Sequence, residues 1–312
     1  FKKVGLSIID EQHRFGVAQR AKLWKKNNPP PHILVMTATP IPRTLAMSLY
    51  GDLDISSIKE LPPGRITTKT VHKYDKNRLS VFKFIRGQIK KGRQIYLVYP
   101  LINESEKLDY KDLMDGYESV VREFPRPDYQ VSIVHGKMSG KDKDFEMKRF
   151  INKETQILVS TTVIEVGVNV PNASVMVIES AERFGLSQLH QLRGRVGRGN
   201  EESYCILMTK DKLSEESMLR IDTMVNVSDG FKLAEVDLKI RGPGDILGTK
   251  QSGVLKFKLA DIIYDTKILN NARLCAINIL ENDPRLIKKE NLPIRNELSS
   301  SSNSKNLWRY IS

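Results

Sequence analysis

Cysteine is scarce in this sequence, with only Cys205 and Cys275 among 312 residues. Two thiols cannot form a disulfide framework and cannot build a zinc site without histidine, and the five histidines show no metal-ligand spacing. Both cysteines lie in apolar runs, which predicts two buried free thiols in a reducing compartment. The sequence therefore favours a cytoplasmic protein held together by its hydrophobic core.

Long apolar runs are also missing. No stretch approaches the roughly 18 uninterrupted apolar residues that cross a bilayer, and no charged-then-apolar signal segment opens the chain. We therefore expect no membrane partner. Position 1 is Phe rather than Met, and a predicted strand begins within four residues, so we expect the chain to be truncated.

Acidic residues are outnumbered, since 37 Asp and Glu stand against 50 Lys and Arg, for a net charge of +13. A positive surplus of this size suits a polyanionic partner, of which nucleic acid is the commonest. On composition alone, a merely basic protein remains the alternative. An acidic membrane surface is a weaker explanation because no basic amphipathic helix stands out.

Short apolar strands alternate with helical segments in two blocks, which predicts an α/β fold of parallel sheets covered by helices. The predicted strands are Val4–Ile9, Ile33–Met36, Gln94–Tyr99, Val131–Val134, Gln156–Ser160, Ser174–Glu179 and Tyr204–Met208. The predicted helices are Gly16–Lys26, Arg43–Tyr50, Asn77–Lys91, Tyr110–Phe124, Gly140–Asn152, Thr162–Gly167, Ser187–Arg193, Ser214–Val227, Asp229–Lys239 and Asp261–Glu281. Glycines predict a loop at Arg241–Gly253, and a Ser/Asn tract predicts disorder at Ser299–Ser304.

An acidic pair, Asp10-Glu11, follows the first predicted strand. It therefore lies at the carboxyl end of a parallel strand, where open α/β sheets bind ligands. ATP hydrolysis needs an anionic oxygen to hold Mg²⁺ and a group that orients or deprotonates the attacking water. Asp10 suits the first task and Glu11 the second. A charged strand end is the alternative for this motif alone.

The run Gln191-Leu192-Arg193-Gly194-Arg195-Val196-Gly197-Arg198 ends a predicted helix. Its two glycines let the chain turn tightly while arginines are aimed in one direction. Guanidinium groups match phosphate oxygens and keep their charge. An arginine supplied across a cleft can raise phosphoryl-transfer rates by roughly 10³–10⁵-fold. The alternative is a basic, solvated helix end.

Threonine-rich turns end two predicted strands. The hydroxyls of Thr37 and Thr39 are candidates to relay between the acids and a neighbouring domain. Thr161 stands where a strand ends and a helix begins, and helix amides with hydroxyls can grip a nucleic-acid phosphate there. For both turns, ordinary helix capping is the alternative.

Taken together, the acidic pair, the Thr-Ala-Thr turn, the His135-Gly136 turn, the second Thr-rich turn and the arginine run resemble superfamily 2 helicases in order and spacing. The resemblance covers about Val4 to Met208. It implies RecA-like lobes (the fold of P-loop NTPase-type helicases), with ATP and Mg²⁺ as cofactors. Asp10 and Glu11 then match the acids of motif II, with Asp10 as the Mg²⁺ ligand.

The resemblance also implies roles by position for the remaining motif residues. Arg195 and Arg198 match motif VI, and Arg198 is the expected arginine finger. Nucleotide contacts are implied for Gly167, Asn169 and Gln191, although Asn169 stands where many members have Asp. Coupling or nucleic-acid contacts are implied for His13, Thr37, Thr39 and Thr161.

A narrower resemblance is to the RecG family, carried by Asp10–Arg20 and Val163–Gly199. The residues that follow resemble the translocation motif shared by RecG and the transcription-repair coupling factor, a helical hairpin and loop that turn domain closure into a DNA step. Arg220, Arg241 and Gln251 match DNA-coupling positions of that motif. A helical cap on the sheet with a flexible tail is the alternative for this region.

This family resemblance implies a division of the chain. Residues 1–60 would be the carboxyl-terminal half of RecA-like lobe 1, with motifs II and III, and residues 61–67 a linker built on two prolines and a glycine. Residues 68–210 would form lobe 2. Residues 211–258 would form the translocation hairpin and loop, and residues 259–312 a carboxyl-terminal helix and flexible tail.

The implied function is the motor portion of an ATP-dependent DNA helicase in recombination and repair. It would remodel branched double-stranded DNA, reversing forks and migrating Holliday junctions. Single-strand DNA-binding protein is a further candidate partner, and the full-length protein is expected to be monomeric. Two alternatives are a translocase of the transcription-repair coupling type and a non-catalytic nucleic-acid-binding module.

One element of such a motor is absent from the sequence. No Gly-x-x-x-x-Gly-Lys-Ser/Thr loop, which cradles nucleotide phosphates, occurs anywhere. In the family this loop and the wedge domain precede motif II. We therefore expect the 312-residue chain alone to bind ATP poorly and to hydrolyse none. We also expect its first strands, deprived of neighbours, to be disordered, to aggregate or to pair between chains.

Overall fold

The computed structural model describes residues 3–11, 31–39, 56–58, 60, 66–100, 106–161, 170–199, 201–246 and 265–301. The chain divides into two compact units. The first comprises Phe1–Ile58 and Leu238–Ser312, and the second comprises Lys59–Asp237. The predicted helices Gly16–Lys26, Arg43–Tyr50 and Thr162–Gly167 lie outside the described residues.

In the first unit, the two predicted strands form a two-stranded parallel sheet. Strand β1 is Leu6–Asp10 and strand β2 is His32–Met36, with Ile8 opposite Leu34. Because side chains alternate across a strand, Leu6, Ile8, Leu34 and Met36 share one face, and each of them is 41–58% exposed. Both predicted strands are thus present and pair with each other within the chain, and this face of the sheet is apolar and solvent-accessible.

The second unit contains a sheet of six parallel strands in the order β3-β8-β7-β4-β6-β5. The strands are β3 Lys69–Tyr74, β4 Gln94–Val98, β5 Val131–Val134, β6 Ile157–Ser160, β7 Ala173–Ile178 and β8 Tyr204–Thr209. Every residue of β4, β6 and β7 is buried, as expected when both faces of a parallel sheet are covered. This confirms the predicted α/β architecture.

Eight α-helices accompany these strands in the described part of the chain. They are α1 Arg78–Lys90, α2 Glu106–Glu123, α3 Gly140–Ile151, α4 Leu186–Arg193, α5 Glu215–Asn226, α6 Gly230–Ile246, α7 Thr266–Asn282 and α8 Leu292–Ser301. The core of the second unit packs α1 and α2 against the sheet, with Ile85, Ile95, Leu97 and Val175 fully or almost fully buried. Short 3₁₀ turns lie at Asp75–Asn77, Ala181–Arg183 and Lys289–Asn291.

An ion pair between a half-buried arginine and a buried carboxylate joins α1 to the carboxyl end of β7. Arg78 opens α1, and Glu179, which is 4% exposed, directly follows β7. The guanidinium donates from Nη1 to Oε1 at 2.6 Å and from Nη2 to Oε2 at 2.8 Å. A bidentate geometry of this kind is strong because both hydrogen bonds are charge-assisted.

Strand β3 was not predicted from the sequence. Its residues alternate between exposed and half-buried, and Val71 is its only aliphatic residue. It is an edge strand, and its six residues, Lys69 to Tyr74, pair in register with Tyr204 to Thr209 of β8. The stability of this polar edge strand comes from its pairing with β8, which is distant in the sequence. Its own residues have the composition of a linker, so the local sequence does not indicate a strand.

Two predictions for the carboxyl-terminal part of the chain were wrong in part. The predicted loop at Arg241–Gly253 starts too early, because α6 continues through Ile246. Leu233 and Leu238, each 2% exposed, anchor this helix upstream, and extending a formed helix costs far less than starting one. The predicted disordered tract at Ser299–Ser304 likewise overlaps α8, which ends at Ser301.

The two cysteines differ in environment. Cys205 is fully buried in β8, as predicted, whereas Cys275 is exposed on α7, against the prediction. Helix α7 presents apolar residues around much of its circumference, so an apolar run there does not mark a buried face. Among the described residues, no helix has the length and hydropathy needed to span a membrane.

Candidate functional site

The acidic pair lies where β1 ends. The backbone N–H of Glu11 donates to Oδ1 of Asp10 at 2.9 Å, and Asp10 is exposed. Glu11 has a φ of 51°, in the left-handed region that residues other than glycine rarely adopt. Such strain costs of order 1–3 kcal/mol and is concentrated at functional sites. The turn holds two carboxylates at the carboxyl edge of the sheet.

Thr37 brings the neighbouring strand end into the same site. Its hydroxyl donates to Oε2 of Glu11 at 3.3 Å, and the backbone N–H of Thr39 donates to the Thr37 hydroxyl at 3.1 Å. This arrangement follows from the parallel pairing of β1 with β2, which sets Asp10 opposite Met36. The structure therefore brings Glu11, Thr37 and Thr39 together.

The donor set at this edge suits Mg²⁺ that arrives with a nucleotide. No group of three or more His, Cys, Asp or Glu side chains suited to hold a metal occurs among the described residues. Mg²⁺ at nucleotide sites is held by one or two carboxylates, with phosphate oxygens and waters completing six ligands. Asp10 and Glu11 match that need, whereas a site for a metal without nucleotide would require more ligands.

In the second unit, the arginine run begins as α4 ends. Gly194 caps the helix, Arg195 is half-buried, and Arg198 is exposed with its Nε donating to the Gly194 carbonyl at 3.3 Å. Both arginines lie near Tyr96 of β4. Burial raises the pKa of Tyr96 to about 12, and the positive charges of the two arginines act against that rise.

Gly197 fits the arginine run against the start of the second unit. Its φ is +76°, and a Cβ there would lie 2.8 Å from both Ser203 Oγ and Thr68 Oγ1. These two hydroxyls hydrogen-bond to each other at 2.9 Å. Only glycine satisfies both the backbone conformation and the close approach. The sequence indicated the tight turn, but it did not show the surface against which the turn packs.

Arg193, the first arginine of the run, has a different position from the other two. It is 7% exposed, and its guanidinium donates to the backbone carbonyls of Met224 and Val227 at 3.0 and 2.9 Å. Sequence reasoning missed this residue because its motif indicated phosphate binding for the whole run. A clue was available: Arg193 falls at the end of a helix whose Leu189 and Leu192 are fully buried.

Three further predicted residues have described positions. Arg220 on α5 donates to the Phe184 carbonyl at 3.1 Å and to Ser217 Oγ at 3.2 Å. Thr161 is 2% exposed after β6, so its hydroxyl is buried rather than presented at the surface. Gln191 is half-buried on α4.

The structure does not place the remaining predicted residues in contact with these. Arg241 lies within α6, and the structure describes its backbone alone. His13, Gly167, Asn169 and Gln251 lie outside the described residues.

Two family models match this chain. The helicase conserved C-terminal domain matches residues 77–200, which contain α1 to α4 and the arginine run. The model described as ATP-dependent DNA helicase RecG, domain 3, C-terminal matches residues 227–312. The first match covers most of the second unit, and the second begins at the turn between α5 and α6.

Named relatives agree with these matches. The chain is 50% identical to the ATP-dependent DNA helicase RecG of Synechocystis sp. over 295 residues, covering 95% of this chain and 35% of that protein. It is 51% identical to RecG of Aquifex aeolicus over 298 residues, covering 94% of this chain and 37% of that protein. The chain thus spans little more than a third of the length of these relatives.

A solved structure of RecG bound to a three-way DNA junction is similar to this chain. The identity is 46% and the TM-score is 0.66, over 86% of this chain and 34% of that one. The chain is thus similar to RecG over most of its own length, and its two family matches are to carboxyl-terminal domains of helicases.

Proposed function

We propose that this chain is the motor portion of an ATP-dependent DNA helicase that remodels branched DNA in recombination and repair. The observation that carries the proposal is the 46% identity to RecG solved on a three-way junction, over 86% of the chain. The match of residues 227–312 to the RecG domain 3 model favours this function over that of a translocase of the transcription-repair coupling type. Forks and Holliday junctions are the proposed substrates.

On the nucleotide side, Asp10 binds the Mg²⁺ of ATP, and Glu11 orients or deprotonates the attacking water. Thr37 supports this role because its hydrogen bond holds the Glu11 carboxylate in one orientation. Gly167, Asn169 and Gln191 contact the nucleotide. Bound Mg²⁺ supplies charge neutralisation of the phosphates.

The second unit supplies the arginines proposed to act in ATP hydrolysis. Arg198, exposed and held through Gly194, is the arginine finger, and Arg195 assists it. A guanidinium at this position stabilises charge on the transferred phosphoryl group.

DNA contacts are proposed for Arg220, Arg241 and Gln251, with His13 and Thr39 coupling them to the nucleotide, whereas the buried position of Thr161 argues against a direct DNA contact. Binding is mainly to phosphates, which suits a chain with a net charge of +13. We further propose that the full-length protein is a cytoplasmic monomer. Single-strand DNA-binding protein is a proposed partner. The 312-residue chain alone, with no phosphate-binding loop in its sequence, hydrolyses no ATP.

The experiment uses two proteins. The first is the 312-residue chain itself. The second is a chimera in which this chain replaces the matching 295 residues of Synechocystis RecG. We expect DNA-stimulated ATP hydrolysis and three-way-junction unwinding from the chimera and neither from the chain alone. A chimera that binds junctions but hydrolyses no ATP would favour the non-catalytic module instead.

Single substitutions then test the assigned roles. Arg198→Ala in the chimera should lower kcat for ATP hydrolysis by roughly 10³-fold or more, as for other arginine fingers. Arg122→Ala, at an exposed position on α2, is the matched control and should leave kcat unchanged. Undiminished hydrolysis in Arg198→Ala would remove Arg198 from the site.

A further inference from the structure

The arginine run lies in a connection whose two ends need separate anchors. Helix α4 ends at Arg193 and strand β8 begins at Tyr204, with Arg198 between them. A catalytic group must be held within about 0.5 Å of its productive position, and groups on loops are held less precisely than groups on helices or strands. Helix α4 fixes the upstream end of this connection, so the position of Arg198 depends on what holds the downstream end.

Arg93 holds the downstream end. It lies in the turn between α1, which ends at Lys90, and β4, which begins at Gln94. Its Nη1 donates to the backbone carbonyl of Glu202 at 3.1 Å, and its Nη2 donates to Oε2 of Glu201 at 2.7 Å. Only 14% of the Arg93 side chain is exposed, whereas that of Glu201 is 72% exposed. The bond to the Glu202 carbonyl is therefore the more informative of the two, since it fixes the backbone itself.

The Arg93 guanidinium is itself fixed by helix α1. Its Nη1 also donates to Oε1 of Gln88 at 2.9 Å, and the backbone N–H of Arg93 donates to the Gln88 carbonyl at 3.1 Å. Gln88 is 4% exposed, so it forms part of the packed interior of the second unit. A planar guanidinium with donors in fixed directions satisfies acceptors on two elements at once, which a single flexible ammonium does less well. Arg93 thus ties residues 201–202 to α1.

Strand β3 contacts the same segment from the other side, but its charged contact there is weaker. The backbone N–H of Lys69 donates to the Ser203 carbonyl at 2.9 Å. Lys69 Nζ lies 2.8 Å from Oε1 of Glu202, and the two side chains are 60% and 52% exposed. An ion pair this exposed contributes little because water screens it. Of the two cations, Arg93 is the better shielded from water, so its bonds hold the segment more firmly.

We propose that Arg93 is a positioning residue that fixes the downstream end of the arginine run and thereby holds Arg198 in place for phosphoryl transfer. The proposal rests on the proposed function, in which Arg198 is the arginine finger. Arg93 contacts neither ATP nor DNA in this role. Without it, Arg198 is still present but occupies a wider range of positions, and a misplacement of about 1 Å can lower a rate by about 10²-fold.

Hydrogen exchange on the 312-residue chain tests the physical link without any requirement for activity. The amide of Lys69 reports on the downstream end because its acceptor is the carbonyl of Ser203. In Arg93→Gln we expect this amide to exchange about tenfold faster, while the amide of Leu97 in β4 is unchanged. Equal acceleration at Leu97 would show general destabilisation and would overturn the proposal, as would no change at Lys69.

The chimera tests the consequence for catalysis. Arg93→Gln should lower kcat for ATP hydrolysis by about tenfold and leave KM for ATP within about twofold, because an arginine finger acts on the transition state. Arg93→Lys, which keeps the charge and one donor toward the Glu202 carbonyl, should recover part of the loss.

The matched control is Arg86→Gln. Arg86 donates to the backbone carbonyl of Glu123 at 3.1 Å and to the carboxylate of the same residue, so it makes the same kinds of bond between α1 and α2. Its kcat should equal that of the parent. Equal losses of kcat in Arg86→Gln and Arg93→Gln would overturn the positioning role.

A double-mutant cycle separates positioning from a general structural role. Residues that act as a unit are non-additive, whereas independent losses multiply. In an Arg198→Ala background, Arg93→Gln should therefore leave kcat within about twofold. A further loss of about tenfold in that background would show that Arg93 does not act through Arg198.

The two proposals fail in different ways. If the parent chimera neither hydrolyses ATP nor unwinds junctions, the proposed function fails, and the Arg93 proposal falls with it. If the parent is active and Arg198→Ala is nearly inactive, but Arg93→Gln keeps its full kcat, only the Arg93 proposal fails.

Discussion

Thr37 donates a hydrogen bond from its hydroxyl to Oε2 of Glu11 at 3.3 Å, across two paired strands. If this contact orients the Glu11 carboxylate for catalysis, its loss should affect kcat rather than substrate binding. We expect Thr37→Val in the chimera to lower kcat by roughly fivefold, equivalent to about 1 kcal/mol. Thr37→Ser, which keeps the hydroxyl, is the matched control. Equal kcat for both variants would contradict this role.

Gly197 should tolerate no side chain. Gly197→Ala places a methyl group 2.8 Å from two hydroxyl oxygens at a φ of +76°, so we expect it to lower the free energy of unfolding by about 1–3 kcal/mol. The control is Gly87→Ala within α1, where a Cβ meets nothing within 4 Å. That change should stabilise by about 0.5–1 kcal/mol. Urea unfolding of the chain measures both, and the same sign for both would refute the packing argument.

The Arg78–Glu179 pair should be asymmetric in its response to substitution. Arg78→Met leaves the Glu179 carboxylate, 4% exposed, without its bidentate partner. We expect a loss of about 3 kcal/mol in the free energy of unfolding. The double variant Arg78→Met with Glu179→Met should recover most of that loss because no charge is left buried. A double variant no more stable than Arg78→Met would show that the unpaired carboxylate is not the source of the loss.

Exchange of backbone amides should differ sharply between the two sheets. Strand β4 is buried at every residue, whereas Leu6, Ile8, Leu34 and Met36 of β1 and β2 are 41–58% exposed. We expect β1 and β2 in the 312-residue chain to exchange at least about tenfold faster than β4. Slower exchange in β1 than in β4 would reverse the expectation.

The two thiols should react at very different rates. Cys275 is exposed, whereas Cys205 is fully buried, and burial raises the pKa of the Cys205 thiol to about 12 against the opposing charge of nearby Arg193. Because the thiolate is the reactive form, iodoacetamide at neutral pH should label Cys275 alone in the folded chain. Cys275→Ser should then show no labelling until denaturant is added. Labelling of Cys205 under native conditions would contradict this assignment.

Much of the fold follows from sequence patterns because buried parallel strands have a distinctive composition. The run Gln94–Val98 is almost wholly apolar and is buried throughout. Strand β3 was missed for the opposite reason, since Lys69 and Lys73 give it the composition of a linker. Its stability comes from pairing with β8, more than 130 positions away, and no local pattern encodes that partner.

The candidate site shows a similar division. The sequence indicated Thr37 only as a relay from the acids, and the structure shows its contact with Glu11, which arises because the carboxyl ends of adjacent parallel strands share an edge. The resemblance assigned roles to Arg195 and Arg198, whereas the sequence predicted no separate role for Arg193. What separates them is burial against the carbonyls of Met224 and Val227, a tertiary contact that residue types alone do not specify.

The pairing of β3 with β8 has a mechanical consequence. Strand β3 is the first strand of the second unit, it lies beside the turn at Gly197, and six aligned residue pairs hold it to its neighbour. A force applied to Thr68 along the strand would load these pairs in shear, all at once, rather than peeling them apart one after another. Strand β3 can therefore resist a mechanical force at a position next to the arginine run.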